Sequence, residues 1–131
     1  MERREHRPVE EVLICGSDAQ EAESFGQWLS RDGYQVDLAE DPLKAVEKLT
    51  TRSFHVIIVM VRAHDQRWID SIRVFNRLLP DLPVVVVAEG DSLETERLVR
   101  RGKIFYFLSK PMSMAEVRAV LRDATGKVSA P

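Results

Sequence analysis

The sequence predicts a three-layer α/β domain in which helices cover both faces of a parallel sheet. The first observation is a continuous apolar run, Phe54–Val61, that is rich in β-branched residues and too short for a typical helix. Such a run is expected of a strand buried on both faces. A second run of this kind follows at Val84–Ala88. The third observation is that five strand patterns alternate with five helix patterns, an order typical of parallel sheets with right-handed crossovers.

The first half of the chain begins with a strand, a helix and a second strand. Val12–Cys15 is the first strand, and Asp18 caps the helix that follows, with Glu21 as its capping-box partner. Gly33 ends this helix, since glycine adopts a positive φ without strain. Tyr34–Leu38 alternates apolar and polar residues, which predicts a strand near the edge of the sheet.

Two further helices flank the central apolar run. The second helix begins at Asp41, with Pro42 in its first turn, and the third ends at Pro80 because proline cannot continue a helix. The inward-facing side chains predicted for the first three helices are Ala22, Phe25, Trp28 and Leu29, then Leu43, Val46 and Leu49, then Trp68, Ile69, Ile72, Phe75 and Leu79.

The fourth helix is the least apolar of the five. It offers only Leu93, Leu98 and Val99 to the core, so we expect it to be the least firmly packed. Asp91 or Ser92 is expected to cap it.

The last strand and helix close the pattern. The strand is predicted at Ile104–Leu108, and the helix starts at a capping box formed by Ser113 and Glu116. Gly126 ends this helix.

Length and composition restrict the classes of function. The chain has 131 residues, enough for one domain, which we place at residues 9–124 between flexible tails at 1–8 and 125–131. With 19 Lys and Arg residues against 21 Asp and Glu residues, the net charge of −2 argues against direct nucleic-acid binding. Cys15 is the single cysteine, and the sequence has neither a membrane-length apolar stretch nor a signal-peptide pattern. We therefore expect a cytoplasmic protein that does not associate with membranes.

Any chemistry is expected at the carboxyl ends of the strands, where ligands of open α/β sheets bind. No set of carboxylates there predicts a magnesium site, and the histidines and the cysteine lack the spacing of a zinc site. Ser17 and His64 have no oxyanion-hole signature beside them. Lys110, fixed by the proline that follows, points a cation along this edge. The residues of interest are Gly16, Ser17, Met60, Ala88, Phe107, Lys110 and Pro111.

From about Val9 to Ala124 the chain resembles the receiver domain of bacterial response regulators. The resemblance is carried by the apolar third strand, by Pro83–Val87, and by Phe107–Pro111. It implies a flavodoxin-like (βα)5 fold with strand order 2-1-3-4-5. In that family a histidine kinase phosphorylates an aspartate at the end of strand 3, and an acidic pair after strand 1 holds magnesium. A Thr or Ser ends strand 4, an aromatic residue on strand 5 switches rotamer, and a lysine before proline pairs with the phosphoryl group.

Most of these family positions carry different residues here. Met60 falls on the phosphorylated aspartate, and a thioether cannot form an acyl phosphate. The remaining correspondences are Gly16 and Ser17 for the acidic pair, Ala88 for the hydroxyl residue, Phe107 for the aromatic residue, and Lys110 with Pro111 unchanged. We therefore expect no catalytic residue, no metal and no cofactor. Lys110 is predicted to turn to a backbone carbonyl, to Asp18 or Asp65, or to solvent.

The resemblance then implies a degenerate receiver-like module that is not an enzyme and that binds proteins without aspartyl phosphorylation. A histidine kinase, an output domain or a second copy would bind through helix 4, strand 5 and helix 5. Two alternatives remain, namely a phosphoacceptor that uses Asp18 or Asp65, and a pocket for a small ligand or anion near Lys110. The cations of the predicted interaction face, which a solvated surface would also explain, are Arg97, Arg100, Arg101 and Lys103.

Overall fold

Five strands and five helices alternate along the chain in a computed structural model that describes residues 9–62, 65–89 and 93–126. The elements are β1 (Glu11–Cys15), α1 (Ala19–Arg31), β2 (Gln35–Ala39), α2 (Pro42–Thr51), β3 (Val56–Val61), α3 (Gln66–Leu78), β4 (Val84–Ala88), α4 (Leu93–Val99), β5 (Tyr106–Ser109) and α5 (Met114–Ala124). All strand pairs are parallel and the order is β2-β1-β3-β4-β5. This is the predicted flavodoxin-like α/β fold.

The sheet separates two apolar cores. Every residue of β3 and of β4 is buried, which confirms the prediction of strands covered on both faces. The helices α2, α3 and α4 cover one face, where Trp68 and Phe75 are the largest buried side chains. The helices α1 and α5 cover the other, where Leu29, Leu121 and Met60 pack together with the opposite side chains of the strands.

Three predicted helix caps are present. The carboxylate of Asp18 accepts a hydrogen bond from the Glu21 amide at 3.1 Å, and the carboxylate of Asp41 accepts one from the Lys44 amide at 2.9 Å. At α5, the Ser113 hydroxyl accepts from the backbone amide three residues later at 3.0 Å. Each bond satisfies one of the amides that have no partner within the first helical turn, so local sequence determines where these helices begin.

The β2 strand forms one edge of the sheet and carries a network of charges. The Gln35 amide donates to the Glu10 carbonyl, and the Ala39 carbonyl accepts from the Gly16 amide, so both residues bond on the β1 side. The amides of the residues between them that alternate with this pattern, such as Leu38, therefore point away from the sheet. The outward amide of Leu38 donates to Asp37 Oδ1 at 2.8 Å. Lys48 and Arg52 pair with the same carboxylate at 2.9 and 2.8 Å.

This network sets the ionisation of Asp37. Burial acts to raise the pKa of its carboxyl group, but the hydrogen bonds from Lys48 and the Leu38 amide, with the charges of Lys48 and Arg52, outweigh burial. The pKa therefore lies below its ordinary value, and the carboxylate holds α2 against the edge strand.

Two leucines predicted to face the core are exposed instead. Leu43 is 70% exposed and Leu93 is 76% exposed. Ala45 in α2 and Thr95 in α4 take the inward positions. Each leucine lies two residues before the inward residue, about 200° around the helix, and therefore faces away from the sheet.

Smaller differences concern the ends of elements. The last strand is Tyr106–Ser109 and not Ile104–Leu108, because regular pairing with β4 starts only where Tyr106 meets Val85. The central strand starts at Val56, and Phe54 packs against the core ahead of it. The caps expected at positions 91 and 92 lie outside the described residues.

Within the described ranges, no helix is long and apolar enough to cross a bilayer.

Candidate functional site

The carboxyl edge of the sheet brings Gly16 and Met60 together. Cys15 pairs with Val59, so the next residues on β1 and β3, Gly16 and Met60, are neighbours. Met60 is only 6% exposed and packs into the core beneath α1 and α5. The position that the resemblance assigns to the phosphorylated aspartate is thus filled by a side chain that lies within the apolar interior.

The other predicted positions form the rest of this edge. Ala88 is buried at the end of β4, whereas Ser17 is exposed in the loop after β1. Phe107 is partly buried and packs into the core on the side of α3 and α4. Pro111 is exposed, and the peptide bond that joins it to Lys110 is cis. Position 64 lies outside the described residues.

Lys110 is held by two contacts. Its backbone amide donates to the Ala88 carbonyl at 3.0 Å, which fixes the loop after β5 against the end of β4. Its ammonium group pairs with the carboxylate of Glu21 in the first turn of α1. Partial burial lowers the pKa of the Lys110 ammonium, and the nearby charge of Asp18 acts in the opposite direction.

The pairing of Lys110 with Glu21 corrects the sequence prediction, which gave Lys110 a backbone carbonyl, an aspartate or solvent as its partner. Spacing indicated only a local capping role for Glu21. The carboxylate instead extends across the edge to the loop after β5. The sequence could have predicted this pair from topology, because the first turn of α1 and the loop after β5 lie at the same edge of a parallel sheet.

A second ion pair was also absent from the sequence prediction. Arg62, directly after β3, pairs with Oδ2 of Asp18, while Oδ1 of that carboxylate caps α1. Asp18 is therefore engaged through both oxygens. Asp65, at the start of α3, makes no capping bond, and its Oδ2 is buried without a hydrogen-bond partner in the described part of the chain.

Four of the charges at this edge are paired internally. Two cations, Lys110 and Arg62, meet two carboxylates, Glu21 and Asp18, and each pair joins segments far apart in sequence. Among the described residues, no group of three or more His, Cys, Asp or Glu side chains is arranged to hold a metal ion. The arrangement can tie loops together, and the two acids after β1, Asp18 and Glu21, are already engaged by cations.

Comparison with known proteins gives one family. Residues 12–122 match the response regulator receiver domain. "Transcriptional regulatory protein ZraR" of Klebsiella oxytoca is 22% identical over 114 residues, which cover 87% of this chain and 26% of that protein. "Response regulator MprA" of Mycobacterium sp. (strain KMS) is 24% identical over 118 residues, which cover 90% of this chain and 51% of that protein. The chain thus spans between about a quarter and a half of these curated relatives.

Solved structures show the same fold. The crystal structure of a response regulator receiver domain protein (CheY-like) from Methanospirillum hungatei JF-1 superposes with a TM-score of 0.81. The sequences are 18% identical, and the match covers 92% of this chain and 96% of that one.

Proposed function

The chain belongs to the response regulator receiver domain family, and from this premise we propose that it is a degenerate member that signals by binding proteins without aspartyl phosphorylation. The observation that carries the proposal is Met60, which lies buried on β3 where the resemblance places the phosphoacceptor. A thioether has no oxygen to attack a phosphoryl group. Gly16 and Ala88 at the neighbouring strand ends supply neither a carboxylate nor a hydroxyl group.

The ion pairs at the edge support this proposal. In a phosphorylated receiver the lysine pairs with the phosphoryl group, whereas here Glu21 takes that place. The Arg62–Asp18 pair joins the end of β3 to the start of α1. Both connections are made by the chain's own charged side chains, which supports loops that are tied together by internal ion pairs.

The contact surface proposed for partners is the face formed by α4, β5 and α5. Receiver domains interact with histidine kinases and output domains, and we propose one of these or a second copy of the chain as the partner. Three large apolar side chains on this face are exposed, namely Leu93 (76%), Tyr106 (42%) and Met114 (40%). Its cations are Arg97, Arg100, Arg101 and Lys103, all exposed.

A second candidate function is phosphorylation of Asp65. The observation in its favour is the buried and unpartnered Oδ2 atom of that carboxylate, just beyond β3. The competing carboxylate, Asp18, is already engaged by the α1 amide and by Arg62.

The deciding experiment is incubation with acetyl phosphate and Mg²⁺, followed by intact-mass spectrometry at neutral pH. We expect no phosphoryl adduct on the wild-type chain, and a phosphorylatable receiver domain run in parallel verifies the reagents. An acid-labile adduct on the wild type would overturn the proposal. If that adduct disappears in Asp65→Asn but persists in the matched control Asp70→Asn, the second candidate is correct.

A further inference from the structure

Four arginines on α3 and at the end of α4 have no ion-pair partner among the described residues, and neither has Arg67 in the first turn of α3. Arg73 and Arg77 lie one turn apart on α3, and Arg97 and Arg101 are likewise four residues apart. All four are exposed. We call these four residues the α3–α4 arginine surface.

The two helices are fastened together where these arginines lie. Gly102 fits closely against α3, since a β-carbon there would be 2.8 Å from Ile72 Cγ2 and 3.6 Å from Arg73 Cγ. The backbone amide of Lys103 donates to Asn76 Oδ1 at 2.7 Å, and the Asn76 side-chain amide donates to the Lys103 carbonyl at 2.9 Å. Gly102, which directly follows Arg101, is thereby held against the Arg73 side chain.

Among the described residues outside α3 and α4, Arg31 on α1 and Arg122 on α5 also have no ion-pair partner, whereas three other arginines have one. Arg52, Arg62 and Arg118 each pair with a carboxylate of another element. Like charges one turn apart on a helix, such as Arg73 and Arg77 on α3, destabilise it. Folding therefore gains nothing from the Arg73 and Arg77 pair, whereas an external anion would relieve its repulsion.

Apolar side chains are exposed next to these arginines. Val74 is 47% exposed and Leu78 is 43% exposed, and they lie one turn apart on α3. At about 100° per residue, they lie on the side of Arg77 that faces away from Arg73 and α4. The outer surface of α3 thus combines cations with an apolar strip.

We propose that the α3–α4 arginine surface, with Val74 and Leu78, binds a segment of a partner protein that carries both carboxylates and apolar side chains. The planar guanidinium group suits two-pronged recognition of a carboxylate. The inference rests on the proposed function, because it assigns the partner's chemistry to a chain that acts by binding proteins.

Nucleic acid fits this surface less well. The chain carries a net charge of −2. Three acids stand between or beside the arginines, since Asp70 is on α3 and Glu94 and Glu96 are on α4. A continuous phosphate backbone would meet these carboxylates, whereas a short protein segment can place its charges between them.

The test is fluorescence anisotropy with a labelled peptide in which Glu alternates with Ser and Leu, measured on the full chain without a phosphodonor. We expect binding that weakens about tenfold in Arg73→Gln/Arg77→Gln and about tenfold in Arg97→Gln/Arg101→Gln. The control is Arg31→Gln/Arg122→Gln, which removes two exposed arginines from α1 and α5 and should change affinity by less than about twofold. Thermal unfolding of each variant verifies folding.

Several outcomes would contradict the inference. One is a wild type that does not bind the peptide, or that binds a peptide with Gln in place of Glu with the same affinity. Another is a control variant that loses as much affinity as the two test variants. A third is a wild type that binds a short DNA duplex more tightly than the peptide. In each case the absence of a phosphoryl adduct in the mass experiment would leave the proposed function standing. An adduct together with peptide binding would overturn the proposed function alone.

Discussion

Gly16 lies so close to Met60 that a β-carbon at position 16 would come within 3.3 Å of the Met60 β-carbon and 3.5 Å of its carbonyl oxygen. Both atoms of Met60 belong to the fully buried central strand, which has little freedom to move aside. Gly16, which has no side chain, therefore leaves room for Met60 at the end of β1.

Substitution Gly16→Ala should destabilise the fold by about 1 kcal/mol. The cost of overpacking the contact with Met60 outweighs the stabilisation that alanine gives by lowering the conformational entropy of the unfolded chain. Chemical denaturation measures the change in the free energy of unfolding. Ser17→Ala, at the adjacent exposed position, should change it by less than about 0.5 kcal/mol. An unchanged midpoint for Gly16→Ala would show that β3 yields to the added carbon.

The Glu21–Lys110 pair should contribute a measurable coupling between α1 and the loop after β5. Its side chains are 30% and 27% exposed, so we expect a coupling energy of about 0.5 kcal/mol in a double-mutant cycle with Glu21→Gln and Lys110→Met. The exposed Glu96–Arg100 pair within α4 serves as the control, with about 0.3 kcal/mol expected. A coupling of zero would mean that the pair does not hold this loop.

Acid should weaken the β2 edge through Asp37. Its pKa is lowered in the folded state, so its contribution to stability is complete above the unfolded pKa of about 3.9 and is lost as pH falls through the folded value. Asp37→Asn should therefore reduce stability at neutral pH, and its deficit relative to the wild type should shrink below about pH 4. Denaturant midpoints across this range measure the effect. Asp123→Asn, at an exposed position on α5, is the control variant.

The thiol of Cys15 should be inert in the folded protein. It is fully buried, and burial raises its pKa, so neither access nor thiolate is available for alkylation. Iodoacetamide at neutral pH should modify it only in denaturant, as followed by mass spectrometry. Ser17→Cys should react readily in the folded state at its exposed position, and fast labelling of native Cys15 would indicate local opening of β1.

The fold could be predicted from sequence because its signals are local. The all-apolar β3 and β4, the caps at Asp18, Asp41 and Ser113, and the alternation of elements each depend on a few adjacent residues. Parallel pairing and strand order followed from the alternation and the family resemblance.

The errors arose where the outcome depends on distant partners. Leu43 and Leu93 were predicted to face the core because they are apolar, but a smaller residue two positions later occupies the core side of each helix. The predicted partners of Lys110 were wrong because the position of Glu21 also fits a local capping box. Only the folded chain brings Glu21 to the loop after β5. The arginines of α3 had no recognisable motif, and the contact of Arg73 with the segment after α4 depends on the close approach of Gly102.

The hydrogen bond from the Leu38 amide to Asp37 also affects how copies of the chain meet. An edge strand with free outward amides can recruit a strand from another molecule and so start fibre growth. On β2 the side chain of Asp37 already accepts the Leu38 donor, and Lys48 and Arg52 place charge along the same border. One outward donor of this edge is thus already bonded and charge lies along the border, so pairing with a strand from another molecule is disfavoured there.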